Sequence, residues 1–436
     1  MTRVLHIGNI ANNAYLNAKF LRRIGVEADA FVDETHVFSR PEWEDAPVSF
    51  GGDQFGSPGL AADAARAGWT MPAWVHGPRV PGTRPIDKLR YRGSYLYRGV
   101  LGAPRHLRLY SELRRDYTGL REALGSDFTF SDMAAGYRML WMHSILMGRL
   151  DRLFGAYDLV QAYTVHPVLT MLTAPRRPYV AFEHGTMREV PFEDSPRGRL
   201  LALAYLRAEK VFITNPDVVV QAKQLGLDNY LFLPHPVDET KYTPGPSPAR
   251  RELGLQDETF LLFSPSRQDW DIKANDVMLR AFAQLAKREP RALLVLTEWG
   301  EEVARSRALA RELGVAERVC WLEPLPKLKL IEMYRAADIV LDQFLIGTFG
   351  AIAPEAMACG AVVVMAFDRS VHEWCYDVQP PVVPARTVDE VAAALLHLVG
   401  DDGERDRISR ASREWVVRHH NWRLVAERQR SVYEQI

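Results

Sequence analysis

The stretch RVLHIGNIANNAYLNAKFLRRIGVEADAFV (residues 3–32) decides how the rest of the chain is read. Residues 4–7 are a short apolar run that stops at Gly8-Asn9. An apolar-periodic segment follows through Tyr15, Ala18, Leu21 and Ile24, ends at Gly25 and gives way to a second strand pattern at 28–32. Strand, turn, helix and strand within about thirty residues make one Rossmann-like opening and predict a parallel sheet.

The same alternation recurs outward from this unit. Strand patterns are expected at 159–162, 179–182, 210–213 and 230–233, with helical patterns between them. From 38 to 129 the rhythm degrades into Pro/Gly clusters, which reads as an irregular insertion. Residues 242–248 hold three prolines and a glycine, a linker composition. Beyond them a second series starts, at 259–263, 292–296, 319–322, 339–341 and 361–365. The expectation is an α/β protein of two Rossmann-like domains, 1–241 and 249–420. Ligands of such sheets bind beyond the carboxyl ends of the strands, so the default active site is a cleft between the two domains.

Composition sets bounds on function. The 436 residues, 47% hydrophobic, suffice for two cores. Lys and Arg number 54 against 55 Asp and Glu, a formal net charge of -1 that gives no sign of nucleic-acid binding. The three cysteines, without CxxC spacing, argue against a disulfide framework or a zinc site and fit a reducing cytoplasm. No signal-peptide pattern opens the sequence. The most apolar helical region, 139–150, falls short of the roughly 20 residues that span a bilayer.

Two constellations in the second half carry chemistry. In the first, a strand ending at Phe263 is followed by Arg267 and Lys273, with a helix beginning just after Lys273. Arg grips phosphate with a planar fork, and Lys supplies a compact charge that can follow a departing oxygen. Taken alone, these two cations read as solvated loop charges, the usual fate of such residues. The second constellation is Gly347-Thr348-Phe349-Gly350-Ala351, which enters a short helix carrying Glu355 and closing at Gly360. Backbone N–H groups at a helix start bind anions, and a glycine allows close approach. Glu355 can accept hydrogen bonds from a ribose, or it is an exposed helical carboxylate.

These residues together resemble the family 4 retaining glycosyltransferases of the GT-B fold. The R-x5-K spacing of that family matches Arg267 and Lys273, which implies that they hold the donor diphosphate. The helix after Lys273 is similar too, with Ala274 where the family usually has glycine. Glu355 matches the second Glu of the family's E-x7-E motif, which implies a ribose contact. The resemblance runs over 255–436, through Gly360-Ala-Val-Val-Val and Glu373 to Asn421-Trp422 and Tyr433, and implies a terminal helix, 421–436, packing on the first domain. Two positions depart from the pattern. The first Glu of E-x7-E is Gly347, and Arg369-Ser-Val-His372 replaces a glycine-rich segment.

The first half resembles the family through Gly8, Glu183-His184-Gly185-Thr186 and Leu233-Pro-His-Pro-Val-Asp238. The resemblance implies that His184 faces the transferred sugar; by its residues alone it is equally a hydrogen-bonded structural histidine. Gly8 either makes a tight turn or lines the donor site. The run 88–121 mixes arginines, among them Arg90, Arg92, Arg98, Arg105, Arg108, Arg114 and Arg115, with tyrosines, among them Tyr91, Tyr95, Tyr97 and Tyr110. It suits an anionic acceptor or peripheral contact with a membrane surface, or else is a solvated helical face.

The implied activity is transfer of a sugar from a nucleotide-diphosphate donor to a hydroxyl of a small-molecule, glycan or lipid-linked acceptor. Retention of configuration, no cofactor and no metal are expected with it. The competing readings are another sugar-nucleotide enzyme, such as an epimerase or phosphorylase, and a non-catalytic sugar-nucleotide-binding protein.

Overall fold

The computed structural model describes residues 2–32, 36–48, 59–77, 103–147, 150–174 and 176–436. The chain divides into two compact units. The first takes Met1–Arg40, Met71–Leu233 and Ala426–Ile436, and the second takes Pro41–Thr70 and Pro234–Val425.

Strands of the first unit are β1 (Arg3–Ile7), β2 (Glu27–Phe31), β3 (Val75–His76), β4 (Leu159–Tyr163), β5 (Tyr179–Glu183), β6 (Lys210–Ile213) and β7 (Tyr230–Phe232). They lie in the order β3-β2-β1-β4-β5-β6-β7, every pairing parallel. Both faces of such a sheet are covered by crossover helices, which is why β4 and β5 are buried at every residue. The direction of winding reverses between β1 and β4, the point at which the loops of such sheets diverge. Gly8 sits at that point with φ +87°, and a Cβ on it would stand 2.4 Å from Nδ1 of His166, so both its backbone angle and its neighbour require glycine.

The second unit repeats the design with β8 (Phe260–Ser264), β9 (Ala292–Thr297), β10 (Val319–Leu322), β11 (Ile339–Leu341), β12 (Val362–Met365) and β13 (Val383–Pro384). The order is β10-β9-β8-β11-β12-β13, again parallel, with its reversal between β8 and β11. Leu262, Leu294, Leu296, Ile339 and Val364 of these strands pack with Met278, Leu279, Phe282 and Leu285 of the helix Asn275–Arg288 in one apolar cluster.

The first strand, its helix (Asn13–Arg23) and the later strand series appear where the periodicity predicts them. The two-residue edge strands β3 and β13 carry no alternation of their own and were not expected; pairing to β2 and β12 defines them. The described part of the stretch read as an irregular insertion includes the helices Pro41–Asp45, Gly59–Arg66 and Ala103–Tyr117. Residues 41–70 belong to the second unit, and that unit begins again at Pro234, ahead of the proline-rich stretch. From Ala426 on, the terminal helix Trp422–Tyr433 is part of the first unit. Among the described residues no helix is long and apolar enough to cross a membrane.

Candidate functional site

The second unit gathers the sequence-predicted donor residues at its reversal point, where the loops after β8 and β11 start side by side. Ser266 donates to the carbonyl of Asp342 at 3.0 Å and to its Oδ1 at 3.2 Å. The N–H of Phe344 donates to the carbonyl of Lys273 at 3.0 Å. The stretch from Arg267 to Lys273 is therefore stitched to the loop that leads to Gly347. A second clamp comes from the loop after β9, whose Trp299 carbonyl accepts the N–H of Gln268 at 2.8 Å. Gly300 runs so close to Gln268 that a Cβ would lie 2.4 Å from its carbonyl oxygen.

Arg267 pairs with Asp269 at 2.8 Å and is 40% exposed at its side chain. Its Nε is buried and has no hydrogen-bond partner among the described residues. Lys273 is not in an irregular loop, as expected, but closes a short helix, Trp270–Lys273, which Asp269 caps by accepting the N–H of Ile272 at 3.0 Å. Ala274 then takes a left-handed conformation, φ +51°, before the helix Asn275–Arg288. The charge of Lys273 favours the ionised form of Asp342, whose carboxyl is nevertheless held above its usual range by burial. Asp342 is a functional candidate that sequence reading passed over; a single carboxylate at the end of an apolar strand gave no pattern to detect.

The loop after β11 is arranged differently from a simple anion cradle. Gln343 accepts the N–H of Ile346 at 2.9 Å and donates to the carbonyls of Ile346 and Thr348. Thr348 and Phe349 turn inward. The Thr348 hydroxyl lies 3.2 Å from Nε2 of His372, whose Nδ1 lies 2.8 Å from the carbonyl of Asp368. A carbonyl can only accept, so Nδ1 carries the ring proton and Nε2 accepts from Thr348. Phe349 stacks on Phe367 and His372. Only the main chain of these two residues remains for a ligand. Gly350 and Ala351 lead into the helix Ile352–Ala358, and a Cβ on Gly350 would meet open space.

No room exists at position 347 for the side chain that the resemblance places there. A Cβ on Gly347 would lie 2.7 Å from Cβ of Asp368 and 3.1 Å from Nη2 of Arg386, and the Gly347 carbonyl accepts the N–H of Asp368 at 2.8 Å.

Glu355 is buried, not an exposed helical carboxylate. Its Oε1 pairs with Nζ of Lys327, and the hydroxyl of Tyr334 donates to Oε2 at 3.4 Å. Burial raises its pKa, and Lys327 opposes that rise.

In the first unit His184 follows β5 on a turn set by its neighbour. Glu183, fully buried, accepts the N–H of Met187 at 2.8 Å. Burial and the Arg188 charge push His184 down to about 4, so its ring is neutral near pH 7. Gly8 lies at the β1–β4 reversal with His166. Residues 88–102 of the basic aromatic run are outside the described residues. On the helix Ala103–Tyr117, Arg108 pairs with Glu112 at 3.1 Å, while Arg114 and Arg115 are exposed. Among the described residues no group of three or more His, Cys, Asp or Glu is placed to hold a metal ion.

Residues 247–415, which contain Arg267, Lys273, Gly347 and Glu355, match the family described as glycosyl transferases group 1. The match covers that segment, so the second unit carries a domain similar to the group 1 glycosyl transferases. The chain is 32% identical over 208 residues to a D-inositol 3-phosphate glycosyltransferase of Kribbella flavida, a match covering 45% of this chain and 49% of that one. It is 28% identical over 343 residues to the protein of the same description from Corynebacterium jeikeium, covering 73% and 77%. The chain thus spans about half the length of the first of these relatives. In fold, the chain is similar to the Anabaena protein HepE solved with UDP and glucose, with a TM-score of 0.65 at 15% identity over both whole chains. Its architecture is GT-B.

Proposed function

We propose that the protein transfers a sugar from a nucleotide-diphosphate donor to an acceptor hydroxyl with retention of configuration. One observation carries the proposal: within the group 1 domain, Arg267 and Lys273 stand on one segment after β8 that is stitched to the loop after β11 at the sheet's reversal point, with a buried Arg267 Nε that no described residue pairs. A nucleoside diphosphate leaving group develops negative charge as the glycosidic bond breaks. Arg267 and Lys273 meet that charge, joined by main-chain N–H groups near Gly350 and Ala351. Two fixed cations supply the neutralisation a divalent ion would otherwise provide, so we propose turnover without added metal. Glu355 accepts the ribose hydroxyls. His184, neutral near pH 7, is assigned a hydrogen bond to the transferred sugar, and Gly8 a place at the donor. The acceptor is a small molecule, glycan or lipid-linked hydroxyl, and D-inositol 3-phosphate, named for the relatives, belongs in the first panel tested.

A second reading is favoured by the closed space at Gly347: the protein binds sugar nucleotides without turning them over. Incubation with UDP-, GDP-, ADP- and dTDP-sugars and an acceptor panel, with and without chelator, decides between them. A transferase releases nucleoside diphosphate in proportion to glycosylated acceptor. Donor binding with no release for any acceptor would leave only the second reading.

A further inference from the structure

The helix Lys327–Ala336 begins with the wrong charge. Its first turn holds Lys327 and Lys329 and no acidic residue, although the positive end of a helix favours carboxylates. Lys329 is explained locally, by pairs with Glu332 at 2.7 Å and Glu252 at 3.1 Å. Lys327 reaches instead to another helix and pairs with Oε1 of Glu355, both side chains largely buried at 18% and 9% exposure. A buried ion pair contributes little to stability over an apolar pair of similar size, so its position asks for another account.

The surroundings sharpen the point. The groups facing Glu355 are Lys327 and Tyr334 from the helix Lys327–Ala336, Glu44 from the helix Pro41–Asp45, Lys241 and Tyr242 ahead of the proline-rich stretch, and Cys359. Glu44 is a second buried carboxylate, so its charge disfavours that of Glu355, but it has its own cation. Lys241 donates to Glu44 Oε1 at 3.0 Å, to the Glu44 carbonyl at 2.6 Å and to Asp45 at 3.2 Å. Lys327 is therefore the cation that directly bonds Glu355.

We propose that Lys327 is a positioning residue for nucleotide binding: by pairing with Oε1 it fixes the Glu355 carboxylate in one orientation and leaves Oε2 to accept hydroxyls of the donor's ribose. The inference rests on the donor reading above. Among the described residues Oε2 has only the long contact from Tyr334, so an acceptor site remains on it. Burial and Glu44 both push Glu355 toward its protonated form, in which one oxygen would donate rather than accept, and Lys327 works against both.

The test is calorimetric binding of UDP, GDP, ADP and dTDP to the full chain, from mildly acidic to mildly alkaline pH. For whichever nucleotide binds the wild type, Lys327→Met weakens affinity by about tenfold at neutral pH, and the loss shrinks as pH rises. Lys327→Arg restores the wild-type profile. Glu355→Gln, which cannot ionise, removes the pH dependence in either background, and the Lys327→Met/Glu355→Gln double variant binds no worse than Glu355→Gln alone. Should Lys327→Met fail to fold, that double variant, free of an unpaired buried charge, and Lys327→Arg carry the comparison. A uniform loss with an unmoved pH profile, or no loss at all, overturns the inference. Failure of all four nucleotides to bind the wild type overturns the donor reading instead.

Discussion

Gln429 donates from Nε2 to Oδ1 of Asn17 at 2.9 Å, joining residues 412 positions apart inside one unit. Tyr433, one turn on, donates its hydroxyl to Gln161 Oε1 at 2.5 Å, and Gln161 donates to Gln429 at 3.2 Å and to the Tyr163 hydroxyl at 2.7 Å. The terminal helix is thus keyed to β4 and to the helix Asn13–Arg23 by buried polar groups that satisfy one another. Tyr433→Phe leaves the Gln161 oxygen with no donor and should lower stability by about 1–3 kcal/mol in urea unfolding. An unchanged midpoint would show that the network is slack.

The same network predicts acid sensitivity. The Tyr163 hydroxyl accepts from Asn17 at 2.9 Å and from Gln161, so its own hydrogen goes to Nδ1 of His6 at 2.8 Å, which keeps that nitrogen unprotonated. Burial pushes His6 down from 6.5 to about 3. The unfolded chain then binds a proton that the folded chain refuses as pH falls below 6.5, so this contribution to stability is present above that value and lost toward 3. The slope is at most about 1.4 kcal/mol per pH unit. Unfolding of His6→Asn, whose side-chain oxygen can take the Tyr163 hydrogen, should show a shallower acid slope than wild type; parallel slopes would contradict it.

Lys273 bears on turnover more than on folding, because it is half-exposed at the end of a one-turn helix. Lys273→Ala should cut kcat by about 10²-fold or more, the scale of losing one donor to a developing anion, with Tm little changed. Arg267→Lys should also lose activity, since an ammonium cannot reproduce the fork. Product-release assays beside thermal melts check both, and full activity in Lys273→Ala would remove that residue from the mechanism.

Restoring a carboxylate at position 347 should fail. Gly347→Glu must displace the Asp368 main chain or Arg386, and overpacking of this kind costs about 1–3 kcal/mol. The expected outcome is lower Tm without gain in turnover. A stable Gly347→Glu variant with raised kcat would show that the space opens.

Ala274 sits in left-handed backbone with its methyl buried. Ala274→Gly relieves the backbone but gives up a packed methyl, two terms of about 1 kcal/mol that nearly cancel. Ala274→Val adds branching to the strain and should cost more than 1 kcal/mol, roughly. Denaturant midpoints of the two variants would rank them; equal midpoints would refute the strain.

Most of the architecture was legible because period and punctuation are local. The run at 3–32 contains its own strand, helix and turn glycines, and a parallel sheet buried on both faces must be written in apolar residues. The spacing of Arg267, Lys273 and Glu355 was likewise readable, since loops after strands fall at sequence intervals. Three-dimensional packing decided what spacing cannot. It turned Thr348 and Phe349 inward against His372, closed position 347 with Asp368, and gave Glu355 a lysine from another helix. It also placed the helix Pro41–Asp45 with the second unit and returned Gln429 to Asn17. Each of these depends on which distant side chains meet, and a buried charge or amide takes the partner the fold supplies, which no local pattern encodes.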